Sequence, residues 1–253
     1  ACLDAVRAAA LIGTAQARAH GIRPVTPAGP APPAGSPVRT LDEWEAKRAL
    51  ASSGLPVPEG ALAGADEAVR CAETLGYPVV VKAVSASLPH KTEAGAVRLN
   101  LGGPDAVRAA VEAMSGLSER FLVERMVRDA VAELVVGAHR DPVFGLVITV
   151  GAGGVLVELL RDAARILLPA SREDVRAALT SLAAWPLLTG YRGRPRGDVE
   201  AVIDAVAVVA RYARAHADRL VELDVNPLLV LPEGHGVLAA DALIRLTEES
   251  WDA

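Results

Sequence analysis

Lys82 stands in the middle of residues 78–84 (PVVVKAV), an apolar, β-branched run of strand length. An ammonium buried without a partner costs several kcal/mol. Such a lysine therefore either snorkels at a strand edge or directs a point charge at a phosphate group in a cleft. A second cluster lies near the C-terminus. In residues 222–228 (ELDVNPL), Glu222, Asp224 and Asn226 fall at i, i+2 and i+4 and share one face of a strand. A turn around 232–236 returns the chain through 237–241 (VLAAD), which brings Asp241 opposite Asn226 or one step from it. Carboxylates and an amide oxygen suit Mg²⁺, a hard cation that takes oxygen ligands and keeps several waters. A solvated polar face on an edge hairpin would look the same, although Asp241 is flanked by Leu238-Ala-Ala and Ala-Leu243-Ile244.

The loop after the lysine strand, residues 85–95 (SASLPHKTEAG), holds Ser85 and His90. Neutral imidazole can accept a phosphoryl group, so His90 is either a nucleophile or a solvated loop histidine. Gly151-Ala-Gly153-Gly154, followed by Arg161, Asp162 and Arg165, could bring backbone N–H groups close to an anion. Arg192, in 187–193 (LLTGYRG), has a similar glycine-flanked setting. Either segment is a phosphate clamp or a salt-bridged turn. Glu124 and Glu133 border a hinge-like stretch at 123–127. There a carboxylate could hold a ribose hydroxyl or an adenine amino group, or pair with Arg125 or Arg128.

The elements that must position these groups follow from periodicity and punctuation. Residues 1–20 read as an alanine-rich helix and 23–38 as a proline- and glycine-rich linker. Thr40-Leu-Asp-Glu43 reads as a capping box opening a helix that stops at Gly54. Further helices are expected at about 66–76, 104–115, 171–183 and 198–217. Strands are expected at 78–84, 96–101, 120–127, 131–138, 143–150, 155–160, 219–225, 228–231 and 237–241. This mixture, with several adjacent strands, predicts an α+β fold.

Composition narrows the functional classes. The chain has 253 residues, 51% of them hydrophobic, and a net charge of −5. Nothing in that balance favours nucleic acid or an anionic membrane, and 3% aromatic residues make a poor base-stacking platform. The uncharged stretch 142–157 is shorter than the roughly 18–20 residues of a membrane span and contains four glycines. It reads as strand, glycine turn, strand. Two cysteines, Cys2 and Cys71, cannot form a disulfide scaffold, so a reducing cytoplasm is the expected compartment. No secretory pattern is visible, and a chain beginning at Ala1 reads as a processed product or a piece of a longer polypeptide. Of 26 basic residues only Lys47, Lys82 and Lys91 are lysines. Lysine has survived where most basic positions are arginine, which enriches it for places that need a compact ammonium.

Taken in order, the lysine strand, the hinge carboxylate and the Asp/Asn hairpin resemble the ATP-grasp fold. The segments 79–101 (VVVKAVSASLPHKTEAGAVRLNL), 132–169, 187–193 and 220–230 with Asp241 narrow the match. Over about 37–247 they resemble the nucleotide-binding part of ADP-forming acyl-CoA synthetases, the acetate–CoA ligase (ADP-forming) β subunits, more distantly succinyl-CoA synthetase β. The resemblance implies two α+β lobes, expected at 39–119 (with the loop 85–95) and 120–247, with nucleotide between them. It assigns Lys82 to phosphate and Glu124, Arg125 and the backbone near Met126 to the adenine hinge. Glu133 goes to the ribose, and Asn226 and Asp241 go to Mg²⁺. It makes His90 a phosphohistidine that Asp224 steadies; Ser85, Gly153, Gly154, Arg161 and Arg192 stay candidates for phosphate contact read from the residues themselves. ATP or ADP and Mg²⁺ are the implied cofactors.

The implied partners are CoA-binding and ligase domains, on a separate subunit or upstream in the same polypeptide, in a hetero- or homo-oligomer. Those domains carry the primary histidine, the small acid and the CoA, so residues 1–253 are expected to perform the nucleotide half-reaction. Gly95-Ala96 stands where the family usually has two glycines. Two other functions fit the residues: an ATP-grasp carboxylate–amine ligase without phosphohistidine, and a nucleotide-binding regulatory module without turnover.

Overall fold

A computed structural model describes residues 35–85, 95–154 and 162–248. The expected N-terminal helix, most of the linker, the 155–160 strand, His90 and Arg161 lie outside them. Two antiparallel sheets organise the described residues.

The smaller sheet has the order β2-β5-β3-β4, from β2 (Gly60–Gly64), β3 (Val79–Ala83), β4 (Val97–Leu101) and β5 (Arg120–Arg125). Helices Ala68–Leu75 and Pro104–Met114 cover one face of it. Strand alternation sends Val79, Val81 and Ala83 of β3, with Phe121 and Val123 of β5, into the core under those helices. All five residues of β3 are buried, as the continuous apolar run predicts. Val80 and Lys82 face the other way, and register pairs Val80 with Glu124 and Lys82 with Leu122.

In the larger sheet β1 (Val38–Leu41), β11 (Ala242–Thr247), β9 (Leu220–Val230), β6 (Ala132–Asp141), β7 (Gly145–Ala152) and β8 (Ala163–Leu167) follow one another, and β10 (Val237–Ala239) pairs with β9. The long helix Val199–Ala215 lays Val202, Ile203, Val206 and Val209 into the same core as Leu134, Val136, Ile148 and Val225. Asp198 caps it by accepting from Ala201 N at 3.1 Å.

Several expectations are corrected. The capping box sits two residues later than expected: Asp42 accepts from Glu45 N at 2.8 Å, and Glu45 accepts in return from Asp42 N at 3.1 Å. It opens α1 (Glu43–Ser52). Thr40 is instead in β1, opposite Arg245. The expected strands 219–225 and 228–231 form one strand, while β8 and β11 were not anticipated. The sheets also cut across the expected lobes. Val38–Leu41 belongs to the larger sheet and Arg120–Arg125 to the smaller one, so boundaries at 39 and 120 do not separate them.

Candidate functional site

The two sheets meet at a buried ionic cluster. From α1, which packs on β11 and β1, Glu43 and Lys47 project at i and i+4 beside Ala46 and Leu50. From the smaller sheet come Lys82 and Glu124, neighbours across the β3–β5 ladder. Between β10 and β11 the chain presents the carbonyl of Ala240.

Lys82 Nζ donates to Glu43 Oε1 at 2.6 Å and to Ala240 O at 2.7 Å, and lies 3.1 Å from Glu124 Oε2. Lys47 Nζ donates to Glu124 Oε1 at 2.5 Å, to Ala240 O at 2.7 Å and to Glu43 Oε1 at 3.4 Å. Two cations thus meet two carboxylates, the condition under which buried charges are tolerated.

The electrostatics separate the two lysines. Burial alone would push the Lys82 ammonium toward its neutral form. The carboxylates of Glu43, Glu124 and Asp241 outweigh it and hold the pKa above the ordinary lysine value. For Lys47, burial and the neighbouring Lys82 charge win over Glu124 and Glu43, and the pKa falls.

Asp241 follows Ala240 directly. Its backbone carbonyl accepts from Asn226 N at 3.2 Å, and Oδ1 accepts from Ala242 N at 2.8 Å. The returning hairpin therefore sets Asp241 beside Asn226, as the turn at 232–236 predicts. Asn226 is exposed and Asp241 half-buried. Asp224, two residues back on β9, sits over Gly137, where an added Cβ would lie 3.3 Å from Oδ1. Burial, then the Glu222 and Asp241 charges, raise the Asp224 pKa to about 6.

Among the described residues no three His, Cys, Asp or Glu side chains are grouped to hold a metal. One carboxylate and one amide oxygen still fit Mg²⁺, which relies on waters and substrate phosphates for the rest of its shell.

A cleft of about 460 Å³ is lined by sequence neighbours of the cluster, though by no residue of the cluster itself. Arg125, Met126, Val127, Arg128 and Asp129 line one side; Leu231, Pro232, His235 and Leu238 line the other. Glu124 precedes the first wall and Ala240 follows the second by two residues. Met126 N donates to Pro78 O at 3.1 Å, and Arg125 pairs with Glu59 at 3.0 Å. Glu133 is exposed on β6. Its carbonyl accepts from Gly153 N at 2.7 Å, and its carboxylate lies against Gly154.

Glu124 is corrected most sharply: its carboxylate is turned onto Lys47 and Lys82 and lines no wall of the cleft. Asp162, expected near a phosphate clamp, accepts from Ala183 N and Ala184 N and braces a turn. The Arg192 guanidinium lies over the Tyr191 ring at 5.2 Å. Ser85 lies two residues past β3, at the end of the described segment. Glu43 and Lys47 escaped the sequence reading as site residues. The scarcity of lysine was the one signal pointing to Lys47.

The arrangement defines a two-lobed α+β fold with a lysine and a hard-oxygen hairpin at the lobe junction. An ATP-grasp domain model matches residues 35–246, and the chain belongs to that family. It is 35% identical over 214 residues to the acetate–CoA ligase [ADP-forming] II subunit beta of Pyrococcus furiosus, covering 81% of this chain and 90% of the relative. Acetate–CoA ligase [ADP-forming] I of Archaeoglobus fulgidus is 36% identical over 208 residues, and there the chain spans 30% of the relative. A similar solved structure is the dinucleotide-forming acetyl-coenzyme A synthetase 1 of Candidatus Korarchaeum cryptofilum. It was solved with coenzyme A and Mg-AMPPCP, with the phosphohistidine segment pointing toward the nucleotide-binding site. The TM-score is 0.72 at 35% identity, over 82% of this chain and 92% of that one. None of the helices among the described residues is long and apolar enough to cross a membrane.

Proposed function

We propose that this chain is the nucleotide-binding, phosphoryl-transferring part of an ADP-forming acid–CoA ligase, catalysing acyl-CoA + ADP + phosphate ⇌ acid + CoA + ATP through a phosphohistidine. The observation that carries the reading is the Lys82 ammonium held at 2.7 Å from Ala240 O, one residue before Asp241. A strong point charge is thus joined to a hairpin that carries two oxygen donors, Asn226 and Asp241. Relatives that are ADP-forming acetate–CoA ligases, and a similar structure with a phosphohistidine segment at its nucleotide site, support it.

In this reading the adenine rests against the stretch 125–129, and Glu133 takes the ribose. Gly154 offers its backbone N–H group to phosphate, together with Ser85, Arg161 and Arg192, whereas the Gly153 N–H, expected to do the same, is taken by the Glu133 carbonyl at 2.7 Å. Asn226 and Asp241 hold Mg²⁺, which when bound offsets phosphate charge and orients the oxygens of ADP. CoA-binding domains, on another subunit or elsewhere in the same polypeptide, make the acyl phosphate and phosphorylate His90.

At this site an oxygen of the ADP β-phosphate attacks the phosphorus carried by His90. The O–P bond forms, the N–P bond breaks, and the electron pair returns to the imidazole. Lys82 stabilises the charge on the moving phosphoryl group. Asp224, two residues from Asn226 on β9, steadies the ring of the phosphohistidine. Positioning and electrostatics supply the rate, as in phosphoryl transfer generally. A cytoplasmic setting fits the chemistry.

The test is ATP formation from ADP, phosphate and a panel of acyl-CoA thioesters, using this chain in its natural complex or polypeptide. ATP synthesis that requires the acyl-CoA and releases CoA and the acid is the expected result. Acid- and amine-dependent ATP hydrolysis without CoA would identify a carboxylate–amine ligase instead.

A further inference from the structure

The cluster at the lobe junction holds one more cation than the transfer reaction uses. Lys47 and Lys82 draw on the same acceptors: the two oxygens of Glu124, Glu43 Oε1 and the Ala240 carbonyl. Their access differs. The Lys47 side chain, on α1, is 2% exposed, whereas that of Lys82, on β3, is 8% exposed.

We propose that Lys47 is a positioning residue for Lys82: it neutralises Glu43 and Glu124 and so leaves the Lys82 ammonium free to turn to a nucleotide phosphate. This inference rests on the functional reading above. Its physical basis is charge balance. With both lysines present Lys47, Lys82, Glu43 and Glu124 sum to zero, the half-buried Asp241 carboxylate standing outside this set, and Lys82 can leave one carboxylate oxygen for a phosphate without exposing a bare buried charge. Without Lys47, a single ammonium faces two carboxylates in a site shielded from water. Lys82 would then be clamped, and an arriving phosphate would also meet an uncompensated negative charge. Lys47 touches no ligand in this account; it acts through the oxygens it shares. Because Glu43 and Lys47 ride on the larger sheet while Lys82 and Glu124 ride on the smaller, the balance is set where the two sheets meet.

Calorimetric titration of Mg·ADP into the full chain tests this, with the parent, Lys47→Met and the double variant Lys47→Met/Glu124→Gln compared. Lys47→Met should weaken binding about tenfold or more, the scale of one charge-assisted hydrogen bond. The double variant, again charge-balanced, should return to within about threefold of the parent. A residue that merely fills space would give no such rescue. Parent-like affinity in Lys47→Met, or a double variant as weak as the single one, overturns the proposal. Should Lys47→Met not fold, the double variant decides alone: affinity near the parent's supports the proposal, and a tenfold loss overturns it. A parent chain that binds no Mg·ADP overturns the functional reading, and this inference with it.

Discussion

The Lys82 ammonium and the Ala240 carbonyl, 158 residues apart in sequence, meet at 2.7 Å. That one contact ties the lysine strand of the smaller sheet to the hairpin bearing Asp241 in the larger. It makes the lobe junction and the proposed phosphate site the same place.

Replacing Lys82 with Met leaves Glu43 and Glu124 with one buried cation instead of two. Folding stability should fall by about 3 kcal/mol, the usual scale for breaking a buried pair. The rise in melting temperature that Mg·ADP gives the parent should be lost as well. Urea denaturation and thermal melting with and without nucleotide measure both. A variant still stabilised by Mg·ADP as strongly as the parent would contradict the role of Lys82.

Much of this junction was legible in the sequence. Three valines before Lys82 announce a strand buried on both faces, and the turn at 232–236 fixes which residues Asn226 and Asp241 can meet. The missing half was locally ambiguous. Glu43 and Lys47 form an i,i+4 pair that reads as an ordinary surface bridge, and only the packing of α1 against distant strands buries it. Thr40…Glu43 and Asp42…Glu45 both fit a capping box. Pairing of β1 with β11, some two hundred residues away, chooses the second by drawing Thr40 into a strand. Glu124 reads as a hinge carboxylate because nothing nearby in sequence reveals the lysine across the ladder.

Asp224 predicts a pH-dependent stability. Its folded pKa of about 6 lies well above that of an ordinary aspartate. The folded state therefore keeps a proton that the unfolded state releases first. Stability linked to this group is complete below about pH 4 and declines as pH rises toward 6, by at most about 3 kcal/mol. In chelator, Asp224→Asn should gain on the parent in denaturant unfolding across that window and turn over more slowly, a stability–function trade-off. An advantage independent of pH would rule this out.

Gly153 faces a backbone rather than a side chain. A Cβ there would lie 2.8 Å from the Glu133 carbonyl carbon and 2.9 Å from its oxygen. Gly153→Ala must shift β6 or the turn, at about 1–3 kcal/mol, and should raise the KM for ADP by displacing Glu133. Unaltered unfolding midpoint and KM would show that the turn adapts.

The hairpin donors predict the metal response. Asp241→Asn removes the carboxylate from a two-donor set, so the Mg²⁺ concentration for half-maximal activity should rise about tenfold or more. Excess Mg²⁺ should restore much of the rate. A Mg²⁺ dependence identical to the parent's would move the metal elsewhere.

The central claim is that a phosphoryl group travels between His90 and nucleotide in this cleft, and labelling tests it most directly. Incubated with Mg²⁺ and ATP labelled at the γ-phosphate, the chain should take up acid-labile, base-stable label, and added ADP should remove it as ATP. His90→Ala should take up none. Label that persists in His90→Ala, or a parent chain that binds nucleotide yet never becomes labelled, would contradict the account.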